Sequence, residues 1–222
     1  MRAWYGAALL LSVTALVYAP TLGYPHLYED GNDYETTYRP FQVSDLLLKP
    51  ARSLTNLSFA LTHVVSIQPW ADHAVNVLLH SLNVSLLVWV LSRGVAWEPS
   101  LWLAGLFALH PLNVEAVAYV SARPDLLSTT CVLLALCAAT VGLLSLAVVG
   151  VVLAGLGKET ALVAAGLVPL WAAWIHAPVN WRAWRWALVP AVAVVGWQFA
   201  QSKVDFTAEA SLAGSQLAQT GA

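Results

Sequence analysis

Charge is what this sequence has least of. Only 10% of its 222 residues are charged and 59% are hydrophobic, against about 25% charged in an ordinary soluble domain. That shortage argues against a soluble enzyme, because a water-facing fold needs more polar surface than this chain supplies. A net charge of −2 gives no basic footprint for nucleic acid, and no nucleic-acid partner is expected. Cysteine is scarce too. Cys131 and Cys137 both lie in an apolar run, and their i, i+6 spacing does not set them side by side on a helix, so neither a disulfide nor a metal site is expected from them.

Apolar length is what the chain has in quantity. Several windows approach or exceed the ~18 apolar residues needed to cross a ~30 Å hydrocarbon core. The expected fold class is therefore an all-α, polytopic integral membrane protein of about seven transmembrane helices plus interfacial helices. Residues 1–201 form the membrane domain and 202–222 a polar tail. The spans read in order as about Ala3–Ala19, Asp72–Leu91, Pro99–Leu109, Leu126–Val141, Leu143–Leu156, Thr160–Ile175 and Trp186–Gln201. The first resembles a signal peptide, with Arg2 before an apolar stretch, but Pro20 directly after Ala19 argues against cleavage, so it reads as an uncleaved span. An acidic outer loop follows at 20–45. Residues 46–67, holding Lys49, Arg52, Asn56 and His63 and interrupted by Pro50, read as an amphipathic interfacial helix in preference to a span.

Polar residues inside the apolar regions carry the rest of the reading. In the second span His73, Asn76, His80 and Asn83 fall at i, i+3, i+7 and i+10, one stripe of a helix. In lipid such a stripe lines a cavity or bonds neighbouring helices, and the spacing fits both. The stretch Leu106–Ser128 holds His110, Asn113, Glu115, Tyr119, Arg123 and Asp125. Pro111 and Pro124 bracket it as a short surface helix, on which Glu115, Tyr119 and Ala122/Arg123 share a face. Lys158-Glu159 interrupts the apolar sequence once more. By alternation from a cytoplasmic N-terminus, the acidic loop, the 106–128 stretch, Lys158-Glu159 and a periplasmic tail fall on one side. Six of the ten Lys and Arg lie on that side, but the short inside loops hold four bases against one acid, Glu98, which agrees with the charge bias of cytoplasmic loops. The loop with Trp181, Arg182, Trp184, Arg185 and Trp186 reads as an interfacial anchor. Acids, bases and imidazoles collected on one face suit a lipid-borne phosphate and a general base, although each residue taken singly also fits a surface charge or a salt bridge.

Five stretches in order are similar to a known family. They are Glu29-Asp30, Arg52–Leu61 (RSLTNLSFAL), His73–Asn83 (HAVNVLLHSLN), Phe107–Ser128 (FALHPLNVEAVAYVSARPDLLS) and Gly157–Leu170 (GKETALVAAGLVPL). Together they resemble the membrane domain of the transmembrane-and-tetratricopeptide-repeat proteins and their bacterial relatives, GT-C-type glycosyltransferases related to the protein O-mannosyltransferases. The resemblance implies a GT-C-like core in a bacterial inner membrane that transfers a sugar from a polyprenyl-phosphate carrier to an acceptor on the extracytoplasmic face. It implies Asp30 as catalytic base, with Glu29 beside it. By charge, Arg52, Arg123 and Lys158 are the candidates for the carrier phosphate. Glu115 and Glu159 would orient them, and His73, Asn76, His80 and His110 would line the cavity. A divalent cation near Asp30 and Asp33 is a further candidate, and no other cofactor is expected. The family's 34-residue repeat does not occur in this sequence. That departure and the eleven tryptophans keep a second reading open, a non-catalytic GT-C-derived subunit of a larger membrane complex.

Overall fold

The structure is a computed structural model that describes residues 2–25 and 53–177, with scattered positions between 182 and 196. Its described helices are α1 (Arg2–Tyr18), α2 (Ser53–Val65), α3 (Pro69–Gly94), α4 (Trp97–Ala108), α5 (Asn113–Ala118), α6 (Arg123–Thr140), α7 (Leu144–Gly157) and α8 (Ala164–Trp174). Short 3₁₀ turns, Ala19–Gly23, Val120–Ala122 and Glu159–Val163, extend or join them. No strand occurs among the described residues. The chain is an all-α membrane protein, as its composition requires.

Local chemistry sets the helix boundaries. Pro69 opens α3, where its missing N–H costs nothing, with Asp72 in the first turn and Arg93 in the last, each complementing the helix dipole. Pro124 lies in the first turn of α6. That helix closes on Gly142, whose φ is 78°. The N–H of Leu143 reaches the carbonyl of Ala138 at 2.8 Å and that of Gly142 reaches Ala139 at 3.1 Å, the pairing of a helix end turned through a left-handed residue.

Three described segments are long and apolar enough to cross a membrane: Tyr5–Gly23, Pro69–Gly94 and Val120–Thr140. The expected count of about seven spans is not reached among the described residues. Helix α4 has 12 residues and α7 has 14, which at about 1.5 Å per residue leaves each well short of ~30 Å. The seventh expected span, the acidic loop beyond residue 25 and the polar tail lie outside the described residues, apart from the scattered positions. The predicted helix across Pro111–Pro124 is also corrected. The chain leaves α5 at Tyr119, which is extended (φ −84°, ψ 126°), and Arg123 begins the next helix.

Helices α3, α6, α7 and α8 share the main core, where Val90, Leu133, Ala135, Leu136, Ala147, Val151 and Val168 are buried together. Small residues bring α6 and α7 close. A Cβ placed on Gly150 would come within 2.9 Å of the Ala135 Cβ and 3.1 Å of the Cys131 carbonyl oxygen. Helix α2 has the polarity expected in lipid. Ser53, Thr55, Phe59 and Thr62 are buried against the protein, whereas Leu61, Val64 and Val65 face outward. Gly150→Val should therefore force α6 and α7 apart and cost about 1–3 kcal/mol, the usual penalty of overpacking. Thermal unfolding of the detergent-solubilised protein measures it, with Gly166→Val, where a Cβ meets nothing within 4 Å, as the control.

Candidate functional site

Asp72, His63, Arg123, Asp125 and Lys158 gather at one end of the helix bundle. Hydrogen bonds join the last residue of α1 to the last of α4 (Tyr18 Oη to the Ala108 carbonyl, 3.3 Å), the first turn of α3 to the start of α6, and the residue after α7 to the first turn of α6.

At its centre is Arg123, wholly buried. Its Nε donates to Asn76 Oδ1 at 3.0 Å and its Nη1 to Thr62 Oγ1 at 3.1 Å. Its Nη2 donates to the Asp72 carboxylate at 2.8 Å and to the Asp72 carbonyl at 3.1 Å. The guanidinium lies 3.9 Å from the centroid of the Phe59 ring, a cation–π contact. The other carboxylate oxygen of Asp72 is 3.3 Å from His63 Nε2. A buried charge is tolerated when it is paired and hydrogen-bonded, and residues of α2 and α3 supply acceptors for four of the five guanidinium N–H groups. Arg123, expected at a ligand phosphate, is here turned toward protein acceptors.

The stripe on α3 resolves in the same direction. Asn76 Nδ2 donates to the carbonyls of Tyr119 (3.0 Å) and Val117 (3.4 Å). It thereby captures the backbone groups that α5 loses where it breaks. His80 Nε2 is 3.0 Å from the Ala108 carbonyl; since a carbonyl only accepts, that nitrogen carries the proton. Asn83 donates to the Leu126 carbonyl at 3.0 Å and accepts from Thr130 Oγ1 at 2.7 Å. His73 is buried, with the Tyr24 ring edge-on at 6.3 Å. Asn76 and His80, expected to line a cavity, are buried and bond backbone carbonyls of neighbouring segments, and His73 is buried against the Tyr24 ring.

The other candidates are placed differently. His110 is exposed, and its Nδ1 accepts the Leu112 N–H at 3.3 Å. Glu115 is exposed. Lys158 Nζ lies 2.5 Å from Asp125 Oδ1, and both side chains are partly open, 38% and 45% exposed. Glu159 begins a 3₁₀ turn, and its side chain is not among those described. Glu29, Asp30 and Arg52 lie outside the described residues. The acids paired with Arg123 and Lys158 are thus Asp72 and Asp125. Sequence reasoning passed over Asp72 because a first-turn carboxylate is the ordinary complement of a helix dipole. Its position four residues before Asn76, on the same face, was the available signal.

Two features of this end remain open to a ligand. Lys158 makes one hydrogen bond with its three donors, and among the described residues it is the exposed Lys or Arg side chain at this end. Between α1 and α4 an apolar groove of about 590 Å³, walled by Leu9, Val13, Leu101, Trp102 and Leu106, ends at His110. Among the described residues no three His, Cys, Asp or Glu side chains converge as metal ligands.

A membrane protein with this arrangement has its similarities among glycosyltransferases. Protein O-mannosyl-transferase Tmtc2 of Drosophila melanogaster is 42% identical over 86 residues, 37% of this chain and 9% of that protein. Protein O-mannosyl-transferase TMTC2 of Homo sapiens is 40% identical over 82 residues, 35% of this chain and 9% of its own length. Protein O-mannosyl-transferase TMTC1 of Mus musculus is 38% identical over 94 residues, 39% of this chain and 10% of its own length. These are homologues from the family that the sequence motifs resemble, and the chain covers about a tenth of the length of each. No family model and no solved structure matches the chain.

Removing one member of the central cage leaves a buried charge behind. Arg123→Met alone should cost about 3–5 kcal/mol, whereas Asp72→Leu with Arg123→Met should recover most of that loss. A double-mutant cycle on thermal unfolding separates the two terms.

Proposed function

We propose that this chain is a membrane glycosyltransferase unit that moves a sugar from a polyprenyl-phosphate carrier to an acceptor hydroxyl on the extracytoplasmic face of a bacterial inner membrane. Its similarity to protein O-mannosyl-transferases is the observation that carries the reading, and it makes mannose the first sugar to test. The geometry of the polar end supports it. Lys158 offers a point charge for the carrier phosphate, and the apolar groove beside His110 is a place for a lipid chain. In this reading the N-terminus is cytoplasmic and the polar end of the bundle faces outward. In this reading Asp30, with Glu29 beside it, takes the acceptor's proton, and Arg52 is assigned to the phosphate as a second cation. A divalent ion at Asp30 and Asp33 would serve to neutralise the leaving phosphate.

A second reading is favoured by one observation. Arg123, Asn76, His80 and Asn83 are spent on holding helices together, which is how a retained scaffold within a larger membrane complex would use them. In membranes supplied with polyprenyl-phosphate mannose, Asp30→Asn should abolish transfer with the protein still folded, and Lys158→Gln should raise KM for the lipid donor about tenfold, a charge-assisted hydrogen bond of about 1.5 kcal/mol. Unaltered transfer by Asp30→Asn removes it as base. Wild-type protein that shows no transfer and elutes after gentle detergent extraction in a stable complex with other polypeptides supports the scaffold instead.

A further inference from the structure

We infer that Asp125 is a specificity determinant at Lys158, which makes the site hold a phosphodiester and release a phosphomonoester. The inference rests on the reading of Lys158 as the phosphate anchor. In the proposed transfer the bond between the sugar's anomeric carbon and the phosphate oxygen breaks. A bond forms from that carbon to the acceptor's hydroxyl oxygen, and the hydroxyl proton passes to a carboxylate base. The donor therefore enters as a diester with one negative charge. The carrier leaves as a monoester, whose charge near pH 7 is about −1.5 to −2. A site that offered only a cation would bind its product more tightly than its substrate.

The geometry at Lys158 works against that outcome. Asp125 Oδ1 lies 2.5 Å from Nζ, with both groups partly open to the surface. The pair is held in place by the helices beneath it. A Cβ on Gly157 would come within 2.7 Å of Ser128 Oγ, so the end of α7 sits directly on the first turns of α6, and Lys158 follows immediately in an extended conformation. Backbone position thus keeps the ammonium beside the carboxylate. An anion that takes the unused Lys158 donors comes to rest next to a fixed negative charge. The repulsion grows in proportion to the anion's own charge, so the monoester is penalised more than the diester. Asp125 is in the first turn of α6.

The test titrates the full chain in detergent micelles with a short-chain, water-soluble prenyl phosphate and with its methyl ester, the matching diester. Asp125→Asn should tighten the monoester about fourfold and the diester only about two- to two-and-a-half-fold, the range of an exposed charge pair. Asp125→Ala should give the same order, which separates charge from hydrogen bonding. Equal tightening of the two ligands, or none, overturns the inference. Lys158→Gln distinguishes the underlying reading: weaker binding of both ligands upholds it, and unchanged binding of both removes it and the inference together.

Discussion

A guanidinium buried among membrane helices is the constraint on which the polar end of this protein depends. A bare charge at such depth costs several kcal/mol, and the cost is met when its donors find acceptors. Arg123 finds them on two other helices. Thr62 and Phe59 come from α2, Asp72 and Asn76 from α3. Satisfying one side chain therefore fixes where α2 lies, how the first turn of α3 meets the start of α6, and which way Asn76 points. Asn76 then uses its amide nitrogen on the Tyr119 and Val117 carbonyls, so the backbone break before α6 is held by the same network.

The rest of the bundle end divides into groups that are used up and groups that are available. Most of the polar stripe of α3, namely Asn76, His80 and Asn83, is used up. It pairs carbonyls at the end of α4 and the start of α6, which in lipid have no water to turn to. Lys158 and Asp125 are available, being partly exposed and, among the described residues, joined side chain to side chain only with each other. The opposite end of the bundle has a different character. Arg93 lies 4.4 Å over the Trp89 ring, Trp171 donates to Thr140, and Trp174 and Trp186 are exposed, the aromatic and basic anchoring of a membrane interface. The contrast supports placing the chemistry at the first end.

Much of the helical plan was legible from residue patterns. Pro69, Pro124 and Gly142 punctuate α3 and α6 where local backbone rules say they should, and the boundaries of α4 and α7 follow the apolar runs closely. The polar stripe was legible as a stripe. Its purpose was not, because cavity lining and interhelical bonding demand the same periodicity and differ only in what lies opposite. The single helix expected between Pro111 and Pro124 failed for a similar reason. Its local sequence permits helix at Tyr119, and the side chain that captures the Tyr119 carbonyl comes from Asn76, 43 residues away.

By itself the sequence determined the class: an all-α membrane protein, with the positions of its ionisable residues along the chain and the ordered motifs that mark its relatives. These follow from composition and from periodicities of the backbone, which are local. Only the tertiary structure decided which charge answers which. Arg123 and Lys158 are both bases beside apolar runs, but one is enclosed by Asp72, Asn76 and Thr62 and the other stands partly open beside Asp125. The physical reason is that burial and pairing are properties of helices brought together from distant parts of the chain, and a charge's role depends on whether its partners leave any of it to spare.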